Sequence, residues 1–226
     1  MPMPSGRGSN ARPERLLQRR WISSRWCAAM SDHVLSTTAV DSSYVFRTIM
    51  TAMSRPGRIL AFLPPVMAPA PLLPGTAAML LTLCDFQTPI HLIPELADSA
   101  VTKYLRFHTG APLTPDAADS SFAVLAAGLD MPRLADFPQG THEYPDRSAT
   151  LLIQVPQVSE GGHVALRGPG IESTIEVTVA GMDAGFWHEL MRNRDGFPIG
   201  VDVVFISPDA ICAFPRSTTV SLRETA

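Results

Sequence analysis

VDVVFI, residues 201–206, decides how this chain folds. Five of the six residues are apolar and four are β-branched, with no polar alternation and no helix breaker. A run of that kind predicts a strand buried on both faces rather than a half-wet one. LLIQV at 151–155 has the same character. Strands covered on both sides need helices above and below, so the expected fold is α/β: a three-layer α/β/α sandwich.

Outward from these runs, further strands are expected at 57–62, 89–93, 122–126, 149–155, 164–167, 174–179, 201–207 and 211–214. Helices are expected at 41–54, 76–84, 98–108, 131–137 and 183–192. Ser207-Pro208-Asp209 is a tight link between the last two strands, which makes them antiparallel and the sheet mixed. In the first helix Phe46, Ile49, Met50 and Met53 fall at helical spacing, with Arg47, Thr48, Thr51 and Ser54 on the other face. Asp41 or Ser42 can cap its start. Pro56 disfavours the helical conformation at Arg55 and Gly57 accepts a positive φ, so the helix ends near Ser54. The last helix turns Phe186, Trp187, Leu190 and Met191 to its apolar side.

The chain has 226 residues, 46% of them hydrophobic, enough for a substantial core. Pro64, Pro65, Pro69, Pro71 and Pro74 interrupt its one long apolar stretch, at 61–84, so no membrane-spanning helix is expected. Cys27, Cys84 and Cys212 lie far apart without a C-x-x-C pair, which fits a reducing, cytoplasmic setting. Residues 1–30 carry six arginines against one glutamate, a net charge of +5 that leaves −8 for the rest of a chain totalling −3. We read 1–30 as a basic extension, disordered or lying upstream of a true start at Met30, and 31–226 as a single domain. An acidic body with one lysine, Lys103, has no basic stripe for a phosphate backbone, which argues against nucleic acid.

The motifs that could carry chemistry are few. LRGPGIES, 166–173, sets two glycines around a proline, fit for an anion-cupping loop but equally for a tight turn, which is the reading favoured. FPRSTTV, 214–220, offers Arg216 beside three hydroxyls, and LRFHTGAP, 105–112, offers Arg106, His108 and Thr109 at a helix end. The six histidines are dispersed without metal-ligand spacing, and there is no P-loop and no G-x-S-x-G elbow. Schiff-base chemistry would have to use Lys103, whose place on an amphipathic helix reads as solvated surface.

F-R-x-x-M-x-A-M-S-R-P-G at 46–57, LLTLCDFQTPIHL at 80–92, LRFHTGAP, ATLLIQV at 149–155, LRGPGI, FPIGVDVVFIS at 197–207 and FPRSTTV occur in an order that closely resembles the PhnH family of the bacterial carbon-phosphorus lyase system. The resemblance spans about residues 40 to 220. It implies a subunit of the lyase core, assembled with PhnG, PhnI and PhnJ and acting with PhnL. That core forms ribose 1-phosphonate 5-triphosphate from ATP and alkylphosphonate. It also implies a homodimer when isolated, a fold like the large domain of pyridoxal-phosphate-dependent transferases without the cofactor, and no catalytic residue to carry over. Arg47, Arg55, Arg106, His108 and Arg216 are then candidates for partner or anion contacts. The rival reading is an autonomous enzyme, pyridoxal-phosphate dependent or a ribosyl or phosphoryl transferase.

Overall fold

The structure, a computed structural model, describes residues 39–223; the extension expected at 1–30 lies outside them, as do Cys27 and His33. In chain order the elements are α1 (Ala39–Ser54), β1 (Leu60–Ala61), α2 (Pro74–Leu83), β2 (Ile90–Leu92), α3 (Ser99–Thr109), β3 (Leu113–Thr114), β4 (Phe122–Ala126), β5 (Thr150–Gln154), β6 (Val158–Arg167), β7 (Ile175–Val179), α4 (Ala184–Asp195), β8 (Asp202–Ile206), β9 (Ala210–Phe214) and β10 (Thr219–Leu222). Seven strands form one mixed sheet in the order β1-β9-β8-β5-β4-β2-β3. The five from β8 to β3 run parallel; β9 is antiparallel to β8 and to β1.

Every residue of β8 is buried, as its unbroken apolar run requires. Val204 pairs with Leu152 of β5 on one side and Ala213 of β9 on the other. Consecutive side chains of a strand point to opposite faces, and here both are met by helices. Phe205 packs against Trp187 of α4 at 5.9 Å between ring centroids, with Phe186 and Phe214 completing the aromatic cluster at 6.0 and 5.0 Å from Phe205. Ile206 faces α2 on the other side, where a Cβ on Gly75 would stand 2.9 Å from its Cγ2. The lack of a side chain at Gly75 lets the helix approach this closely. Trp187 is 1% exposed, and burying a ring of that size stabilises by about 3 kcal/mol.

Several expectations need correction. β6, β7 and β10 leave the main sheet and form a separate three-stranded antiparallel sheet in the order β10-β6-β7. β6 starts at Val158, not near 164, because Gly161 and Gly162 make a bulge inside the strand rather than a turn before it. β10 occupies the polar tail of FPRSTTV, where alternation of exposed Thr219 and buried Val220 is the mark of a half-wet strand. At 57–62 only Leu60 and Ala61 pair in register with β9, although the Gly57 and Phe62 amides also donate to Ala213 and Asp209 carbonyls. The helix expected at 131–137 shrinks to a 3-10 turn at Leu134–Asp136.

The first helix is rotated from its expected setting. Val45, Ile49 and Ala52 form the buried row, while Phe46 and Met50 are 47% and 51% exposed. The contact row against the molecule thus uses the small Ala52, which permits close packing, in place of the bulkier Phe46 and Met50.

Candidate functional site

Three loops that look independent in sequence meet in space. SRPG at 54–57 ends α1, RGPG at 167–170 joins β6 to β7, and PRST at 215–218 joins β9 to β10. Gly170 has φ +82 and lies so close to the Ser54 carbonyl that a Cβ there would collide with its oxygen. A Cβ on Gly168 would stand 3.1 Å from the Ser217 carbonyl oxygen. The Gly57 amide donates to Ala213 of β9 at 3.1 Å. These glycines bring backbone against backbone where the two sheets adjoin, and LRGPGIES is a turn.

Arg216 is bound into the same neighbourhood. Its Nη2 donates to Asp202 Oδ2 at 2.6 Å, while its Nε and its backbone amide both donate to Asp202 Oδ1, at 3.2 and 2.8 Å. Its Nη1 donates to the Pro145 carbonyl. The two side chains are only 16% and 13% exposed. This forked pair ties the start of β8 to the end of β9, and with the Pro145 carbonyl it engages all three guanidinium nitrogens.

The other candidates do not converge with it. Arg55 and Arg58, both exposed, line a depression of about 560 Å³ together with Glu160, Glu172 and Glu176. Glu176 pairs with Arg223. Three carboxylates beside the two guanidiniums make the depression mixed in sign. Arg47 is exposed on α1 beside a shallow hollow of about 270 Å³ that includes Tyr44, Thr51 and Leu60.

Arg106 and His108 share a different place. Helix α3 is capped by Asp98, whose Oδ1 accepts the Ala100 amide at 2.7 Å, and ends at Gly110 with φ 69. Thr109 Oγ1 donates to the Leu105 carbonyl and accepts the Ala111 amide, which holds the chain as it leaves the helix. Within LRFHTGAP, then, Leu105, Thr109 and Gly110 serve the fold. The intervening side chains line an open groove of about 890 Å³ between α3 and the proline-rich loop at Met67 and Pro69. Lys103 and Arg106 stand on its wall beside Tyr104, Phe107 and His108. The His108 ring lies 4.5 Å from Tyr104 and 4.9 Å from Phe107. Burial pushes the Tyr104 phenol up from its ordinary value.

At the carboxyl ends of parallel strands, where α/β sheets commonly take ligands, Gln154 holds the proline-rich loop. Its Oε1 accepts the Leu73 amide at 2.6 Å and its Nε2 donates to the Pro71 carbonyl. Burial pushes the Cys84 and Cys212 thiols up to about 12, so neither is a ready thiolate. Among the described residues no three His, Cys, Asp or Glu side chains gather as a metal site would require. Sequence reading missed Asp202 as the partner of Arg216 and missed Phe107, although an aromatic inside an otherwise polar helix end was a visible signal.

This is a mixed α/β fold whose recognisable motifs shape loops and a helix end. A family model described as bacterial phosphonate metabolism protein (PhnH) matches residues 34–221. The chain belongs to that family. It is 38% identical over 178 residues to the alpha-D-ribose 1-methylphosphonate 5-triphosphate synthase subunit PhnH of Rhizobium meliloti (strain 1021), covering 79% of this chain and 89% of the relative. It is 30% identical over 190 residues to the putative C-P lyase subunit protein HtxG of Stutzerimonas stutzeri, covering 79% of this chain and 85% of that protein.

Proposed function

We propose that this chain is a subunit of a carbon-phosphorus lyase core in organic phosphonate catabolism, required with PhnG, PhnI and PhnJ, and with PhnL, for making ribose 1-phosphonate 5-triphosphate. Its part is to hold neighbouring subunits rather than to carry a reactive centre. The observation that carries this reading is the match, over 89% of its length, to a relative named as a subunit of that synthase. The site geometry agrees with it: the motif glycines and Arg216 are engaged within the fold, both described thiols are held protonated, and Lys103 is exposed on α3. The proposal includes a cytoplasmic setting, a homodimer for the isolated chain, and a three-layer sandwich like the large domain of pyridoxal-phosphate-dependent transferases.

Co-expression with PhnG, PhnI and PhnJ, followed by pull-down on this chain, is expected to recover all three, with residues 1–30 present or deleted. Recovery of none would remove the subunit reading. Turnover of ATP and methylphosphonate by the lone chain, or a pyridoxal-phosphate absorbance band lost in Lys103→Ala, would establish the rival enzyme reading instead.

A further inference from the structure

The α3 groove is built unlike the rest of the surface. Phe107 is 84% exposed and Met67 61%, and the two face one depression across the helix and the proline-rich loop. Phe86, 72% exposed, lies against Gly110 at the same helix end. Exposed apolar side chains gathered in this way mark a binding surface more often than chance. Lys103 and Arg106 stand among them, one helical turn apart, and no carboxylate lines the groove. Among the described residues neither cation is in an ion pair. The body of the chain outside 1–30 is acidic, at −8 net, so this cationic and apolar patch is opposite in sign to the net charge of that body.

Charge narrows the occupant. The segment 1–30, at +5 with a single carboxylate side chain, lacks the acidic character that two cations call for. A second copy docking through the same patch about a two-fold axis would set these cations against their own counterparts. An acidic peptide meets both demands of the groove, carboxylates for the two cations and an apolar side chain for the aromatic floor.

We infer that the α3 groove docks an amphipathic acidic segment of a companion subunit, its apolar residue over Phe107 and Met67 and its carboxylates on Lys103 and Arg106. This rests on the subunit reading above. Arg106 and Phe107 of LRFHTGAP, which the fold does not require, thereby acquire a use.

The test is pull-down of co-expressed PhnG, PhnI and PhnJ with the full chain and its variants. Phe107→Ala is expected to weaken capture about thirtyfold, the effect of losing a central aromatic anchor. The double variant Lys103→Glu with Arg106→Glu should weaken it as well, and raising NaCl from about 0.05 to 0.5 M should weaken wild-type capture. Phe46→Ala, on the exposed row of α1, serves as the comparison and should capture normally. If the wild type assembles and both groove variants assemble equally well, the groove proposal fails and the subunit reading stands. If the wild type recovers no companion, both fall. A shift of the isolated chain from dimer to monomer in Phe107→Ala, or ATP binding by calorimetry that this variant abolishes, would show a different occupant and overturn the proposal.

Discussion

Arg216 and Arg106 bring the same guanidinium to two regions with opposite uses. Arg216 lies in a mostly buried junction, forked onto Asp202 and capped by the Pro145 carbonyl, where its charge is matched and each of its three guanidinium nitrogens donates. Arg106 stands on an open wall beside Phe107, outside any ion pair formed among the described residues. An arginine with nearby hydroxyls is therefore not in itself an anion site. Burial and the presence of a carboxylate decide which arginines hold the fold together and which remain available to a partner.

The largest test of that contrast removes the buried partner. Arg216→Ala leaves Asp202 as an unpaired, mostly buried carboxylate and is expected to cost about 3 kcal/mol in urea unfolding. Arg216→Lys keeps the charge but not the fork and should fall between. Arg106→Ala should change stability by less than about 0.5 kcal/mol, as surface substitutions generally do. Equal losses from Arg216→Ala and Arg106→Ala would erase the distinction between the two regions.

How much of this was legible beforehand follows from the range over which each signal acts. VDVVFI and LLIQV announce doubly covered strands because a buried central strand imposes its character on every residue it contains. The stop at Pro56-Gly57 is local chemistry and can be read directly, whereas the cap expected at Asp41 or Ser42 falls inside α1, which begins at Ala39. The pairing of Asp202 with Arg216 is different: the residues are 14 apart, and only the antiparallel return of β9 alongside β8 brings them together. The separate sheet of β6, β7 and β10 was hidden for the same reason, since strand character does not say which neighbour a strand will choose. The rotation of α1 was misread because Phe46 and Met50 outweigh Ala52 in hydrophobicity, whereas close packing rewards the smaller side chain.

Cysteine chemistry sharpens the contrast at intermediate scale. Cys212 lies on β9 close to the junction, and its thiol, pushed up to about 12 chiefly by burial, stays protonated at pH 8. In a Cys27→Ser background both remaining thiols should react with a disulfide reagent only when the chain opens. Adding Arg216→Ala should raise that rate several-fold through more frequent opening, while adding Arg106→Ala should leave it unchanged. Rapid labelling of Cys212 in the folded Cys27→Ser chain would show that the junction is not closed.

The smallest effect belongs to the loop whose Phe86 lies against Gly110 at the end of α3. Asp85 is exposed, and its Oδ1 accepts the Gln87 amide and the Thr88 hydroxyl, both at 2.9 Å. The Gln87 bond first, and the Thr88 bond after it, hold its carboxyl below the usual carboxylate range. A group depressed in the folded state contributes stability that is present above its unfolded value and is lost as pH falls through the folded one. The window therefore lies below about pH 4. Asp85→Asn should flatten the acid end of a melting-temperature profile slightly and leave it unchanged near pH 7. Arg216→Ala, by contrast, should lower the melting temperature near neutrality, because Asp202 is left without its partner. If the Asp85→Asn and wild-type profiles superimpose at every pH, this loop is not ordered by its carboxylate, and it is looser than its hydrogen bonds imply.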